Sequence, residues 1–157
     1  MAVVDVGEPR RLGWAAVTAA GAPLTTIEAD SEEIAMRLVA SLLRKAGWSV
    51  ADVHLEPRGY DLLARKGRDQ RSIEVKGVWD PASSRGVRMT GHELLIARQL
   101  GDAYWLYVVD QCQDGTGRLF GVYQDPAERF EGLMKDLTTV ALPGSALASA
   151  RAGDSPT

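Results

Sequence analysis

Glu74 and Lys76 place a carboxylate and an amine two positions apart, within the run RSIEVKG at 71–77. Successive side chains of an extended strand point to opposite faces, so these two residues would share one face of a strand. Ile73 and Val75 would point to the other face and into a core. The pattern therefore predicts a strand that carries a charged pair on one side.

Asp61 begins an earlier apolar run, and the polar stretch 66–70 separates that run from the strand that carries Glu74. Two extended runs with a short polar segment between them predict a β-hairpin. A hairpin folds the start of its first strand toward the end of its second, which would bring Asp61 near Glu74. Two carboxylates and the ammonium of Lys76 are then predicted to converge.

This grouping suits phosphate chemistry. Mg²⁺ prefers oxygen ligands and keeps several waters, so one or two carboxylates and a substrate phosphate are enough to hold it. Asp61 and Glu74 are the candidate ligands, and Lys76 could orient a nucleophile or stabilise developing charge. Spacing alone leaves another interpretation open, because Glu-x-Lys is also a common exposed ion pair and Asp after Gly-Tyr is a common turn residue.

Length and composition indicate one globular domain. The chain has 157 residues, of which 45% are apolar and 25% charged, a balance typical of a globular protein. We expect a cytoplasmic protein, because the sequence shows neither a membrane-spanning run nor a signal-peptide pattern at its start. The single cysteine, Cys112, has no partner for an internal disulfide, which suits a reducing compartment.

Positive charge collects around the candidate site although the whole chain has a net charge of -3. Residues 44–98 contain eleven Lys or Arg and seven Asp or Glu, a difference of +4. Phosphate binding would use such a distribution, although a solvated surface of mixed charge would also produce it. The arginines predicted to bind nucleic acid are Arg58, Arg71, Arg85 and Arg88.

A first helix is predicted from Ser31, the expected N-cap, to a stop at Gly47. Glu32 leans toward the apolar stripe of this helix and could enter a site at the helix start. More often, a glutamate at this position is only a first-turn partner of the helix dipole. A strand over 48–55 is predicted next, and its lone His54 is interpreted as structural.

The remaining pattern alternates helices and strands. Thr90 and Glu93 have the spacing of a capping box, which explains both residues without a chemical role. The apolar run 104–109 predicts a central strand buried on both faces. The other predicted elements are a helix to Gly101, a strand over 118–123, a helix over 125–135 and a strand over 137–142. The predicted domain division is a lead-in over 1–30, a folded domain over 31–142 and a flexible tail over 143–157.

Short motifs over roughly residues 31–127 follow the order and spacing of a known family. They are Glu32-x-x-Ala35-Met36, Gly47-Trp48-x-Val50-x-Asp52-Val53, Gly59-Tyr60-Asp61-Leu62, Ile73-Glu74-Val75-Lys76-Gly77, Thr90-x-x-Glu93, Ala97, Gly101-Asp102-x-Tyr104-Trp105-Leu106-Tyr107-Val108-Val109 and Asp125-Pro126. The succession resembles the domain named for the C-terminal region of the plant protein NO VEIN. That family is similar to the PD-(D/E)xK nucleases.

The resemblance implies an α/β (α+β) fold with a restriction-endonuclease-like core, a mixed central β-sheet flanked by α-helices. It also implies that Asp61 and Glu74 bind Mg²⁺, or Mn²⁺ in its place, and that Lys76 assists the attacking water. The backbone carbonyl of Val75 and the carboxylate of Glu32 are implied as further ligands. Tyr60 stands where the superfamily pattern has proline, which leaves the Asp61 ligand intact.

The function implied by the resemblance is that of a Mg²⁺-dependent DNA endonuclease or nickase in bacterial defence. Many related domains belong to large multidomain proteins, so a partner subunit or a homodimer is also expected. Fold membership does not guarantee activity. A non-catalytic module that binds DNA or a partner subunit of a larger machine is the alternative.

Overall fold

The computed structural model describes residues 2–5, 14–17, 30–133 and 139–150. In the first two ranges, strands β1 (Ala2–Asp5) and β2 (Trp14–Val17) pair antiparallel. Both strands lie in the predicted N-terminal lead-in. The rest of that lead-in up to residue 29, and the tail from residue 151, lie outside the described residues.

A five-stranded mixed sheet forms the centre of the fold, as predicted. The strands of this sheet are β3 (Ser49–Asp52), β4 (Leu62–Lys66), β5 (Asp69–Gly77), β7 (Tyr104–Asp110) and β8 (Arg118–Gln124). They lie in the order β3-β4-β5-β7-β8, with β5 and β7 parallel and the other neighbours antiparallel. The predicted hairpin of β4 and β5 is confirmed, and Gly67 begins its turn with a φ of 61°.

Helix α1 (Ser31–Lys45) covers one face of the sheet. Its apolar stripe packs with Ile73, Val75 and the alternate residues Tyr107 and Val109 of β7. The N-cap prediction was wrong by one residue, because Asp30 accepts the Glu33 N–H and Ser31 is the first helical residue. Ser31 instead donates its hydroxyl hydrogen bond to the carbonyl of Gly77, 3.0 Å away.

Helix α3 (Gly91–Leu100) covers the other face. It packs Leu94 and Ala97 with Tyr104, Leu106 and Val108 of β7. The predicted capping box of Thr90 and Glu93 is present in full. Because β7 sends alternate side chains into both cores, the prediction of a central strand buried on both faces is confirmed.

Two peripheral elements differ from the prediction. No helix was predicted over 79–86, but this segment contains helix α2 (Ala82–Arg85), which leads into strand β6 (Val87–Thr90). Helix α4 (Pro126–Arg129) is much shorter than the predicted 125–135, because the chain continues into a 3₁₀ turn at Glu131–Leu133. Strand β9 (Thr139–Leu142), part of the predicted last strand, pairs antiparallel with β6.

The flexible tail predicted from residue 143 begins with helix α5 (Gly144–Ala150). Leu147 of α5 is fully buried, and its carbonyl accepts a hydrogen bond from the hydroxyl of Tyr123 at 2.8 Å. The folded unit therefore continues past 142 to Ala150. Among the helices in the described ranges, none has the length and apolarity required to cross a membrane.

Candidate active site

The first turn of α1 lies directly on the end of β5. A Cβ on Gly77 would stand 1.9 Å from the carbonyl oxygen of Ser31, so only glycine permits this approach. The hydroxyl of Ser31 completes the contact through its hydrogen bond to Gly77. This packing fixes the start of α1, which carries Glu32, beside the strand that carries Glu74 and Lys76.

Asp61 is held at the start of β4 by backbone and side-chain contacts. Its N–H donates to the carbonyl of Ile73 at 2.9 Å, and its carbonyl accepts from Val53 at 2.8 Å. One carboxylate oxygen accepts a hydrogen bond from the N–H of Val75, also at 2.9 Å. The predicted convergence is therefore confirmed to this extent: the Asp61 carboxylate lies against the backbone between Glu74 and Lys76.

Lys76 lies buried between two carboxylates. Its Nζ is 2.5 Å from Oε1 of Glu74 and 2.8 Å from Oε2 of Glu93, and all three side chains are less than 10% exposed. Their neighbours on this face of the sheet include Leu106 and Val108, which pair in register with Glu74 and Lys76. The alternative interpretation of Glu-x-Lys as a common exposed ion pair was therefore wrong.

Glu93 is a site residue that the sequence interpretation missed. Its Oε2 accepts the N–H of Thr90 at 2.9 Å, as a capping box requires, and the same oxygen accepts from Lys76. The capping pattern had accounted for Glu93 without any chemistry. Only the packing of α3 against β5 shows its second contact.

The charged network borders an open cleft of about 1150 Å³ between the starts of α1 and α3 and the segment that joins β3 to β4. Tyr104 ties this segment to the sheet by donating to the carbonyl of Gly59 at 2.8 Å. Within the described residues no Lys or Arg lines the cleft. The acidic residues that line it are Asp30, Glu32, Glu33, Asp52, Glu56, Asp61, Glu74 and Glu93.

The four arginines predicted to bind nucleic acid do not line this cleft. Arg71 lies on the opposite sheet face, stacked 4.5 Å from the Trp48 ring and 4.0 Å from the Trp105 ring. Arg85 is exposed and pairs with Asp80 at 2.9 Å, and Arg88 is exposed on β6. Arg58 is nearest, since it pairs with Glu56 of the cleft lining.

His54 also lines the cleft and is not isolated, which the sequence interpretation had missed. Its Nδ1 lies 2.5 Å from Oδ1 of Asp52, and the same oxygen accepts the backbone N–H of His54 at 3.1 Å. This hydrogen bond raises the pKa of His54 above its ordinary 6.5. Burial of the ring opposes the rise, and the charges of Asp52, Asp61 and Glu32 add to it. The Asp-x-His spacing could have indicated the pair.

Comparison with protein families identifies a matching family for this chain. The family model described as "Protein NO VEIN, C-terminal" matches residues 31–122, a stretch that includes Asp61, Glu74, Lys76 and Glu93. No curated protein matches the sequence. Because the matched range covers more than half of the 157 residues, the chain belongs to the NO VEIN C-terminal domain family.

Proposed function

We propose that this protein is a Mg²⁺-dependent nuclease that cuts or nicks DNA in the acidic cleft. The observation that carries the proposal is the buried network of Glu74, Lys76 and Glu93 beside Asp61. A buried ion pair is often no more stabilising than apolar side chains of the same volume. Three buried charges at the border of an open cleft therefore favour a chemical role over a structural one.

The donor chemistry of the cleft suits Mg²⁺, with Mn²⁺ as a substitute. No three His, Cys, Asp or Glu side chains of the described ranges form a group that could hold a metal ion. Mg²⁺ needs fewer protein ligands, because it keeps waters and binds substrate phosphates. Asp61 and Glu74 would hold it, with the Val75 carbonyl as a further ligand. Glu32, the other ligand implied by the family resemblance, lines the same cleft but forms no three-carboxylate group with them. The bound ion would lower the pKa of a coordinated water and neutralise phosphate charge.

The protein's own side chains would orient the reacting groups. The Val75 amide fixes the rotation of the Asp61 carboxylate. Lys76 has three N–H donors, of which two meet Glu74 and Glu93. The third would donate to the attacking water or to a phosphate oxygen. Because the cleft lining is acidic, a phosphodiester would meet repulsion there unless a cation is bound first.

The test is an assay of the wild-type protein on supercoiled plasmid, single-stranded DNA and RNA, each with Mg²⁺ or with a chelator. We expect nicking or cutting of DNA in Mg²⁺ and none in the chelator. Plasmids with and without base modification extend the assay to the proposed role in defence, which rests on the family resemblance. Wild-type protein that leaves every substrate intact in Mg²⁺ and in Mn²⁺ would overturn the nuclease proposal.

Glu93→Gln should separate the capping role of Glu93 from its role in the charged network. Glutamine satisfies the same capping box, so α3 should stay folded. The ammonium of Lys76 would lose one of its two charged partners, and we expect DNA cleavage to fall at least about tenfold, the equivalent of about 1.4 kcal/mol. Circular dichroism and the initial cleavage rate measure the two effects.

The matched variant for Glu93→Gln is Thr90→Ala, which removes the other half of the capping box and leaves the carboxylate near Lys76. It should lower the free energy of unfolding by about 1 kcal/mol and affect cleavage less than Glu93→Gln does. If Thr90→Ala slows cleavage as much as Glu93→Gln, the effect comes from the helix cap and not from Lys76.

A second candidate function is a non-catalytic module that binds DNA, or a partner subunit, away from the cleft. The exposed residues Arg65, Lys66 and Arg68 lie at the tip of the β4–β5 hairpin. Lys66 donates to the carbonyl of Ala46 at 2.7 Å, so this tip adjoins the basic last turn of α1. A gel-shift measurement that shows DNA binding by wild-type protein, together with no cleavage in the assay above, would favour this candidate.

A further inference from the structure

Asp52 and His54 form a hydrogen-bonded pair on the wall of the cleft. An ionised carboxylate accepts hydrogen bonds but cannot donate one. The 2.5 Å contact therefore requires a proton on Nδ1 of His54. Nε2 is then the ring nitrogen left to exchange a proton with a ligand. The His54 side chain is 43% exposed, which allows such contact.

The backbone fixes this pair next to Asp61. Val53, between the two residues, is buried and donates its N–H to the carbonyl of Asp61 at 2.8 Å. The negative charges that act on the imidazole come from three elements of the fold: Asp52 at the end of β3, Asp61 before β4 and Glu32 in the first turn of α1. His92 at the start of α3 and Glu56 line the same cleft.

His54 and Lys76 lie on opposite sides of Asp61 in the order of the sheet. Strand β4, which Asp61 precedes, lies between β3 and β5. His54 follows β3, whereas Lys76 belongs to β5 and its ammonium contacts Glu93 of α3. In phosphoryl transfer the attacking and leaving oxygens stand roughly in line on opposite sides of phosphorus. A water placed by Lys76 would therefore attack from the side away from His54.

We propose that His54, oriented by Asp52, is the general acid that protonates the leaving oxygen; this inference rests on the proposed nuclease function. The water oxygen forms a bond to phosphorus, and the bond from phosphorus to the leaving oxygen breaks with its electron pair on that oxygen. The leaving oxygen takes the Nε2 proton and departs as an alcohol. The attacking water releases one proton to solvent, and the imidazole regains one from solvent.

The test compares two substrates that differ in their need for an acid. DNA releases an alkoxide that requires a proton, whereas bis(p-nitrophenyl) phosphate releases a nitrophenolate that does not. Loss of a general acid typically costs about 10²–10⁴-fold. We expect the cleavage rate of His54→Gln to fall by about that factor on DNA. On the nitrophenyl ester its rate should remain within a few-fold of the wild-type rate. His92→Gln, which removes the other histidine of the cleft, should affect both substrates alike.

Two further measurements examine the same pair. The rate of DNA cleavage by the wild type should fall as the pH rises through the raised pKa of His54. In His54→Gln the cleavage rate should no longer decrease over that pH range. An NMR titration of the imidazole, which needs no activity, should give a lower pKa in Asp52→Asn than in the wild type. An unchanged pKa in Asp52→Asn would overturn the orienting role of Asp52.

The outcomes distinguish this inference from the function on which it rests. Equal losses on both substrates for His54→Gln would make His54 structural and overturn the inference, as would full activity on DNA. If the wild type cleaves DNA but not the nitrophenyl ester, the pH dependence of DNA cleavage tests the inference. A cleavage rate that still decreases at high pH in His54→Gln would overturn the inference. Wild-type protein that cleaves neither substrate in Mg²⁺ or Mn²⁺ would overturn the nuclease proposal and this inference with it.

Discussion

Lys76→Met should abolish DNA cleavage and lower the free energy of unfolding by about 3–5 kcal/mol. The ammonium is the cation between the buried carboxylates of Glu74 and Glu93, at 2.5 and 2.8 Å. Methionine keeps most of the volume but leaves two buried anions close together. Cleavage would fall because the group proposed to orient the water is lost. Plasmid cleavage and urea denaturation measure the two effects.

Two variants control for Lys76→Met. Lys45→Met removes an ammonium from the exposed end of α1 and should leave both quantities near their wild-type values. The double variant Lys76→Met/Glu93→Gln removes one of the two buried carboxylates that Lys76→Met leaves without a cation. It should recover part of the lost stability without restoring cleavage. If Lys76→Met unfolds at the same urea concentration as wild type, the ammonium of Lys76 does not offset the charges of the two buried carboxylates.

Gly77→Ala should destabilise the protein by at least about 1–3 kcal/mol, the usual cost of added volume in a packed core. The new Cβ would stand 1.9 Å from the carbonyl oxygen and 2.5 Å from the carbonyl carbon of Ser31, both backbone atoms. The first turn of α1 must therefore move away from β5 and carry Glu32 with it. The urea midpoint and the melting temperature should both decrease.

Gly132→Ala is the matched control, because nothing lies within 4 Å of the Cβ it would add. A surface substitution of this kind usually changes stability by less than about 0.5 kcal/mol. If Gly77→Ala is as stable as Gly132→Ala, the helix is not held against β5 by the close approach that the structure shows.

The elements that the sequence predicted well are those specified by local patterns. The apolar stripe of α1, the hairpin of β4 and β5, the capping box at Thr90 and the apolar run of β7 each contain their signal within a few residues. These elements also place Asp61, Glu74 and Lys76, so the candidate site could be predicted before the structure. The family resemblance added the expectation of a mixed sheet, which the structure confirms.

The features that the sequence did not predict depend on contacts between distant segments. Helix α5 consists mostly of small residues without an apolar stripe, and it is held by the burial of Leu147 and by Tyr123. Glu93 meets Lys76 only because α3 packs across β5. Charge summed over a segment likewise ignored orientation, since it grouped Arg71 with the cleft although Arg71 stacks on the other sheet face.

The most direct measurement is the rate of plasmid cleavage against Mg²⁺ concentration for wild type, Asp61→Asn and Glu33→Gln. Asp61 is a proposed ligand, whereas Glu33 is an exposed carboxylate of the cleft lining that pairs with Arg37. We predict a rate that saturates with Mg²⁺ for wild type and Glu33→Gln, and no cleavage by Asp61→Asn at any concentration. Cleavage by Asp61→Asn at the wild-type rate, or by wild type without a divalent ion, would contradict a metal-dependent site built on Asp61.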